Sequence, residues 1–281
     1  MKLITTAQGI QEFVAAAKSD GKSIAFVPTM GALHEGHLSL VEIAKQKAEV
    51  VIVSIFVNPK QFGANEDFDK YPRSLEADAA LLETAGIDAL FAPPASEVYP
   101  AEGVREQRAG VVGSTFEGAS RPGHFDGMLT VVGRLFELTE PDFAIFGAKD
   151  AQQLFMVKKL AGALFKDTEI ITAPTHRESS GLAMSSRNRY LTDAQRENAS
   201  VLYRTLKTLR QPLSRTLETA RTLIESTPET KLDYIAVVDN QIFRPVNDDF
   251  RGKAIAIVAA KVGDTRLIDN LEIELTEPTD E

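Results

Sequence analysis

Apolar positions follow one rhythm up to Pro174 and another after Tyr190. In the first stretch, short apolar runs at Ser23–Val27, Val50–Phe56, Ala89–Ala92, Asp142–Phe146 and Glu169–Ala173 show little polar alternation. Such runs predict strands buried on both faces of a parallel sheet. The segments between them have helical spacing. Ile10, Phe13, Val14 and Ala17 share a face over Thr5–Lys18, and Leu38, Val41, Ile43 and Ala44 recur over Leu38–Lys47. Ser74–Ala85 predicts a helix with Ser74 as N-cap and Gly86 just past its end. Phe125, Met128, Leu129, Val132, Leu135, Phe136 and Leu138 keep the same period until Pro141, and Ala151–Leu164 forms another helix. Ser96–Glu117 has no clear period and reads as surface loop with short strands.

Strand, helix and strand in this succession make βαβ units. After Tyr190 the order becomes helices and then strands. Thr192–Gln195 is a capping box that opens a long helix to about Leu209, and a second helix lies around Leu217–Ile224. Runs at Leu232–Val238, Ala254–Ala259 and Arg266–Asp269 follow, the last two joined through Gly263-Asp264 as a hairpin. The expected fold is α/β: a Rossmann-like parallel-sheet domain over residues 1–174, then a smaller C-terminal α+β domain with an antiparallel sheet over 175–281.

The chemistry gathers where strands run into helices. Pro28-Thr29-Met30-Gly31-Ala32-Leu33-His34-Glu35-Gly36-His37 joins the first buried run to the next helix. Glycines there let the backbone turn and approach a ligand, and a helix N-terminus favours an anion. His34 and His37 are two of only four histidines in the chain. A zinc pair is the competing reading, but a helical zinc motif spaces its histidines four apart, and a third ligand is missing. Gln61 follows the second buried strand and so belongs at the same rim of the sheet, where its amide suits a small hydroxy acid. Gly147-Ala148-Lys149-Asp150 is a second strand-to-helix turn, with Lys149 suited to phosphate, Asp150 to a ribose hydroxyl, and Gln153 one helical turn on. Met184-Ser185-Ser186-Arg187 offers two hydroxyls and a guanidinium as a phosphate clamp.

Composition narrows the partners. The 281 residues are 43% hydrophobic and 25% charged, ordinary for a globular chain, and the net charge is −9. With no Lys/Arg block, nucleic acid and membrane surfaces are disfavoured. There is no Cys, which excludes disulfides, thiol catalysis and Cys-based metal sites. The N-terminus lacks the apolar core of a signal peptide, and no run is long enough to span a bilayer, so a cytoplasmic protein is expected.

These motifs resemble a known family. A His-x-Gly-His turn after the first strand is the signature of the nucleotidylyltransferase superfamily, which includes class I aminoacyl-tRNA synthetases. Within it, the whole Pro28–His37 stretch resembles the pantothenate synthetase (pantoate–β-alanine ligase) family. Further matches are Phe56-Val57-Asn58-Pro59-Lys60-Gln61-Phe62, Glu66-Asp67, Tyr71-Pro72-Arg73, Arg121-Pro122-Gly123-His124-Phe125, Phe146–Gln153, Met184–Arg187 and Leu267-Ile268-Asp269-Asn270, so nearly the whole chain is covered.

The resemblance implies ATP-dependent joining of pantoate to β-alanine through a pantoyl adenylate, releasing AMP and pyrophosphate, with Mg²⁺ bridging phosphate oxygens. It implies a homodimer by analogy. Catalytic positions would be His34, His37, Lys149, Ser185 and Arg187. ATP would meet Met30, Gly31, Ala32, Leu33, His34, Glu35, Gly36 and His37 in the first turn. Gly147, Ala148, Lys149, Asp150, His176, Met184, Ser185, Ser186 and Arg187 would complete its contacts. Gln61, Gln153 and the Met30 backbone would hold pantoate. No residue is assigned as a metal ligand; the family links acidic residues near Asp78 to magnesium, but a solvated helix carboxylate reads equally well there. Two departures stand out: His176 replaces a usually apolar residue, and Ser180 of the Ser179-Ser180 pair replaces a common acidic one. Adenine packing and a pH dependence from His176 are open. Two other readings remain: an adenylyl transferase acting on another acid, and a non-catalytic ATP-binding regulator.

Overall fold

The computed structural model describes residues 1–63, 68, 71 and 73–277. The Glu66-Asp67 and Pro72 parts of the family pattern lie outside the described residues. The chain divides into two compact units, residues 1–147 with 153–173, and residues 148–152 with 174–281.

The first unit is a six-stranded parallel sheet. In chain order it has β1 (Lys2–Ile4), α1 (Ala7–Ser19), β2 (Ile24–Thr29), α2 (Glu35–Lys47), β3 (Val50–Ile55), α3 (Leu75–Ala85) and β4 (Ala89–Phe91). Short α4 (Ala95–Val98) and α5 (Glu117–Ser120) precede α6 (His124–Thr139), β5 (Phe143–Gly147), α7 (Ala151–Leu164) and β6 (Glu169–Ala173). The strand order is β1-β4-β3-β2-β5-β6. β1 is not evident in the hydrophobic pattern, because three residues are too short to show a period; it forms the edge beside β4. Neighbouring strand residues face opposite sides, as a sheet covered on both faces requires. Ile24, Phe26, Ile52 and Phe91 pack in one core with α1 and α6, and Ala25, Val27, Val53 and Leu90 in the other with α2 and α3.

The order reverses at β2, with β3 on one side and β5 on the other. Ligands of open α/β sheets bind beyond the carboxyl ends of strands at such a reversal. Here the sheet also parts. β2 pairs with β3 over all six of its residues but with β5 only at Ala25 and Phe26. Pro28 explains the parting. The Ile24 carbonyl accepts from Asp142, so Ile24, Phe26 and Pro28 face β5, and Pro28 has no N–H to continue that ladder.

The second unit has α8 (Asp193–Ala199), α9 (Val201–Leu206), α10 (Leu213–Glu225), β7 (Thr230–Asp239), β8 (Gly252–Val262) and β9 (Thr265–Leu275). The strands form an antiparallel sheet in the order β7-β8-β9. The capping box at Thr192 is present, with the hydroxyl accepting from the Gln195 N–H and the Gln195 amide oxygen accepting from the Thr192 N–H. The long helix expected after it breaks at Ser200, whose N–H donates to the Glu197 carbonyl three residues back and whose hydroxyl donates to the same oxygen at 2.6 Å. The β8–β9 hairpin turns at Gly263-Asp264 as expected, but β9 runs on to Leu275. Among the described residues no helix is long and apolar enough to cross a membrane.

Candidate active site

The turn after β2 is held by side chains of its own and by one distant carboxylate. His34 is the N-cap of α2, with its Nδ1 accepting from the Gly36 N–H at 3.1 Å. His37 reaches back, and its Nδ1 accepts from the His34 N–H at 3.3 Å. A neutral imidazole that accepts at Nδ1 carries its proton at Nε2. The capping arrangement therefore fixes both tautomers and makes both Nε2–H groups donors, with ring centroids 4.1 Å apart. Two N–H donors at a helix N-terminus suit an anion.

Gly31 and Ala32 both have left-handed backbone, with φ of 82° and 52°. The first suits glycine; a Cβ there would meet Asp78 Oδ2 and the Ile55 side chain at 3.0 Å. Ala32 is strained by on the order of 1–2 kcal/mol. Asp78 offsets that strain. Its carboxylate accepts from the Ala32 and Leu33 N–H groups, each at 2.8 Å, and the residue is 2% exposed. The solvated-carboxylate reading of Asp78 is thus overturned. The signal in the sequence was faint: one of two acids, Glu76 and Asp78, in the first turn of a helix that looks amphipathic anyway. Ser74 occupies the expected cap position of α3, but its side chain makes no capping bond.

Gln61 is buried and held at three points. Asn58 Nδ2 donates to its side-chain oxygen at 3.0 Å, and its amide nitrogen lies 3.1 Å from Met30 Sδ. Its backbone carbonyl lies 2.8 Å from His124 Nδ1, while His124 Nε2 lies 3.0 Å from Arg121. Arginine only donates, so Nε2 accepts and Nδ1–H donates to Gln61. Asn58 is fixed in turn by the Tyr99 hydroxyl at 2.7 Å. Burial pushes the Tyr99 phenol above its ordinary range, so it remains a donor. Asn58 takes one lone pair of the Gln61 side-chain oxygen and Met30 Sδ takes one amide hydrogen, which leaves the side chain one further hydrogen and one further lone pair. α6 approaches closely here: a Cβ on Gly127 would lie 2.1 Å from the Lys60 carbonyl. Arg121 and His124 thus brace Gln61; Asn58 lies within the Phe56–Phe62 match, and Tyr99 is the partner a motif reading misses. Gln153 lies half-buried on α7.

The remaining site residues lie in the second unit, apart from Gly147, which ends β5. Lys149 Nζ is 3.7 Å from Asp150 Oδ2. Asn270 on β9 donates from its side-chain nitrogen to the Ala148 carbonyl at 2.8 Å and the Lys149 carbonyl at 2.6 Å. Residues 176–184 fold as a small hairpin in which the Met184 N–H donates to the His176 carbonyl, and Arg177 bridges to Ala183. Gly181, at φ 92°, sits against the Tyr203 ring, 2.6 Å from where a Cβ would be. Ser185 caps the single turn Ser186–Tyr190, its hydroxyl accepting from the Arg187 N–H at 3.3 Å. Asn188 ties this turn to Glu178 and to the Ala183 carbonyl, and Arg196 braces both Glu178 and the Asn188 carbonyl. Asp269 is buried, which pushes its carboxyl upward, while the bidentate Arg177 contact opposes that shift.

Among the described residues no group of three or more His, Asp or Glu is placed to hold a metal ion. Both oxygens of Asp78 are committed to backbone N–H groups.

Comparison with known proteins decides the family. The family model described as pantoate-beta-alanine ligase matches residues 2–272. The chain belongs to the pantoate-β-alanine ligase family. A curated pantothenate synthetase from Acidothermus cellulolyticus is 50% identical over 274 residues, covering 94% of this chain and 90% of that protein. One from Moorella thermoacetica is 46% identical over 284 residues, covering 99% and 100%. The crystal structure of pantothenate synthetase from Thermus thermophilus superimposes with a TM-score of 0.89 at 43% identity, covering 96% of this chain and 99% of that one. Pantoate-β-alanine ligase from Francisella tularensis, solved in complex with β-γ ATP and β-alanine, gives 0.80 at 36% identity, covering 96% and 97%. Membership makes the chain a ligase, and the parallel sheet with a separate antiparallel sheet is the architecture these ligases share.

Proposed function

We propose that the protein condenses pantoate with β-alanine at the expense of ATP, in two steps. A pantoate carboxylate oxygen attacks the α-phosphorus of ATP, the bond from that phosphorus to the bridging oxygen breaks, and pyrophosphate leaves. The β-alanine amine then attacks the acyl carbon of the pantoyl adenylate. AMP departs with the acyl oxygen, the amine loses a proton, and the amide of pantothenate remains. The reaction needs no protein nucleophile. It needs anions held in line and developing phosphate charge met by fixed donors.

The observation that carries this reading is the tautomer lock on His34 and His37, which leaves each ring, beside the start of α2, with its donor proton on Nε2. In the proposed roles, His34, His37, Lys149, Ser185, Ser186 and Arg187 meet the phosphates. Gly147 and Asp150 hold the ribose. The backbone from Met30 to Gly36, together with Ala148, His176 and Met184, lines the nucleotide. Gln61 offers its –NH₂ to a pantoate oxygen, with Gln153 and Met30 beside it. Mg²⁺ would enter with the ATP substrate and help neutralise the phosphate charge. We also infer a cytoplasmic location and a homodimer, the latter tested by light scattering on the purified chain.

Pyrophosphate release with ATP, Mg²⁺ and pantoate, measured without and then with β-alanine, tests the function. The expected result is release that requires pantoate, with AMP and pantothenate accumulating only once β-alanine is added. ATP binding without release would favour a non-catalytic regulator. Release driven only by some other acid would favour a different adenylyl transferase.

A further inference from the structure

The Leu267-Ile268-Asp269-Asn270 motif has no part in the reaction as set out above, yet its last two side chains leave the sheet. β9 is an edge strand of the antiparallel sheet. At Asn270 the backbone N–H donates to the Asp269 carboxylate at 2.7 Å, and the carbonyl accepts from Arg177 at 3.1 Å. The Asn270 side-chain nitrogen has two hydrogens, and Ala148 and Lys149 supply its two carbonyl acceptors. Asp269, 4% exposed, takes both arms of Arg177, at 2.6 and 3.0 Å. Arg177 also donates to the Gly181 carbonyl at 3.1 Å and stacks on Tyr203, 3.8 Å from the ring centroid. One cluster therefore grips two segments that lie about thirty residues apart in the sequence.

We propose that Asn270, Asp269 and Arg177 are positioning residues that hold the Ala148–Asp150 turn and the hairpin leading into Ser185–Arg187 in one fixed geometry, so that both present their donors to the ATP phosphates together. The inference rests on the proposed use of Lys149 and Ser185–Arg187 for those phosphates. Generic sheet stability does not account for the arrangement. Arg266 and Asp233 form an ion pair from β9 to β7 at 2.6 Å, a contact of strand to strand. A buried pair is a poor stabiliser in itself, because both charges are desolvated; the contacts that matter here are to the carbonyl groups of functional segments. Asn270 is buried, and its two donors reach Ala148 and Lys149 rather than another strand.

The test is steady-state pyrophosphate release by the full chain, with KM measured separately for ATP and pantoate and Tm measured without ligand. Five variants are compared: Asn270→Ala, the isosteric Asn270→Asp, Arg177→Lys, Lys149→Ala and Arg266→Ala. Losing two hydrogen bonds that set a binding geometry should raise KM for ATP by about tenfold in Asn270→Ala. Asn270→Asp, which turns acceptors toward two carbonyls, should do at least as much. Arg177→Lys, which keeps the charge but loses the fork, should raise it about fivefold. KM for pantoate should change less than twofold, and Arg266→Ala should match wild type.

If the Asn270 variants keep wild-type KM and kcat while Lys149→Ala is impaired, the inference is overturned and the site reading stands. If Lys149→Ala is as active as wild type, the site reading fails and the inference falls with it. If the Asn270 and Arg177 variants lose Tm and raise both KM values alike, the cluster is merely structural and the inference is again overturned. Should Asn270→Ala not fold, Arg177→Lys decides by the same criteria.

Discussion

The two units hold their functional groups by different means. In the first, His34 and His37 cap their own helix within four residues, and a single distant carboxylate, Asp78, completes the turn. In the second, Asn270 holds the Ala148 and Lys149 carbonyls and Asp269 holds Arg177, roughly a hundred residues away in the chain. Local capping leaves a contiguous motif that can be read directly. Long-range bracing leaves isolated Asn, Asp and Arg residues whose meaning appears only when their partners are known.

The largest effect expected from breaking this contrast is at His37. His37→Ala removes an N–H donor and the reciprocal cap together, and should lower the rate of pantoate-dependent pyrophosphate release by on the order of 100-fold or more. Its Tm should fall far less than its rate. A variant with near wild-type turnover would show that the local turn is scaffolding.

Asp78 sharpens the comparison from the other side. Asp78→Ala strands two buried backbone N–H groups and should cost on the order of 2–4 kcal/mol of stability by denaturant unfolding. Asp78→Asn keeps one acceptor and should lose roughly half as much on the same count of stranded donors. Equal losses would mean that only one of the two N–H contacts matters.

Gly127 tests whether the bracing of Gln61 is tight. A Cβ in Gly127→Ala must displace the Lys60 carbonyl, costing about 1–3 kcal/mol and raising KM for pantoate more than KM for ATP. Unchanged pantoate kinetics would detach α6 from the proposed pantoate contact of Gln61.

The smallest effect concerns two exposed carboxylates, one in each unit, that cap neighbouring backbone. Glu49 accepts from the Ser23 N–H and hydroxyl, and Asp248 from those of Ser214. The backbone and hydroxyl bonds hold both carboxyl groups below their ordinary values. A lowered folded value means stability that is present above the unfolded value and lost as pH falls through the folded one. The Tm gap between wild type and Asp248→Asn should therefore be small at neutral pH and close as pH drops below the ordinary 3.8. A gap that persists in acid would show that the charge is not what stabilises the cap.

How much was legible followed the same division. The hydrophobic runs, the His-x-Gly-His turn, the Gly-Ala-Lys-Asp turn and the Thr192 capping box are local, and each appears where its residues predict. The β1 edge strand was invisible because three residues carry no period. The break at Ser200 was hidden because one serine is compatible with a helix until its hydroxyl takes the Glu197 carbonyl.

Sequence alone determined the parallel α/β architecture, the antiparallel strands after it, the ligase family and the residues that carry its motifs, because periodicity and capping act over a few neighbouring positions. Only the tertiary structure decided the rest. It set which nitrogen of the His34, His37 and His124 rings bears the proton, how the Gln61 amide is held, that Asp78 serves backbone rather than solvent, and that Asn270 grips the Lys149 turn. Each of these depends on a hydrogen-bond partner whose position is fixed by packing rather than by proximity along the chain.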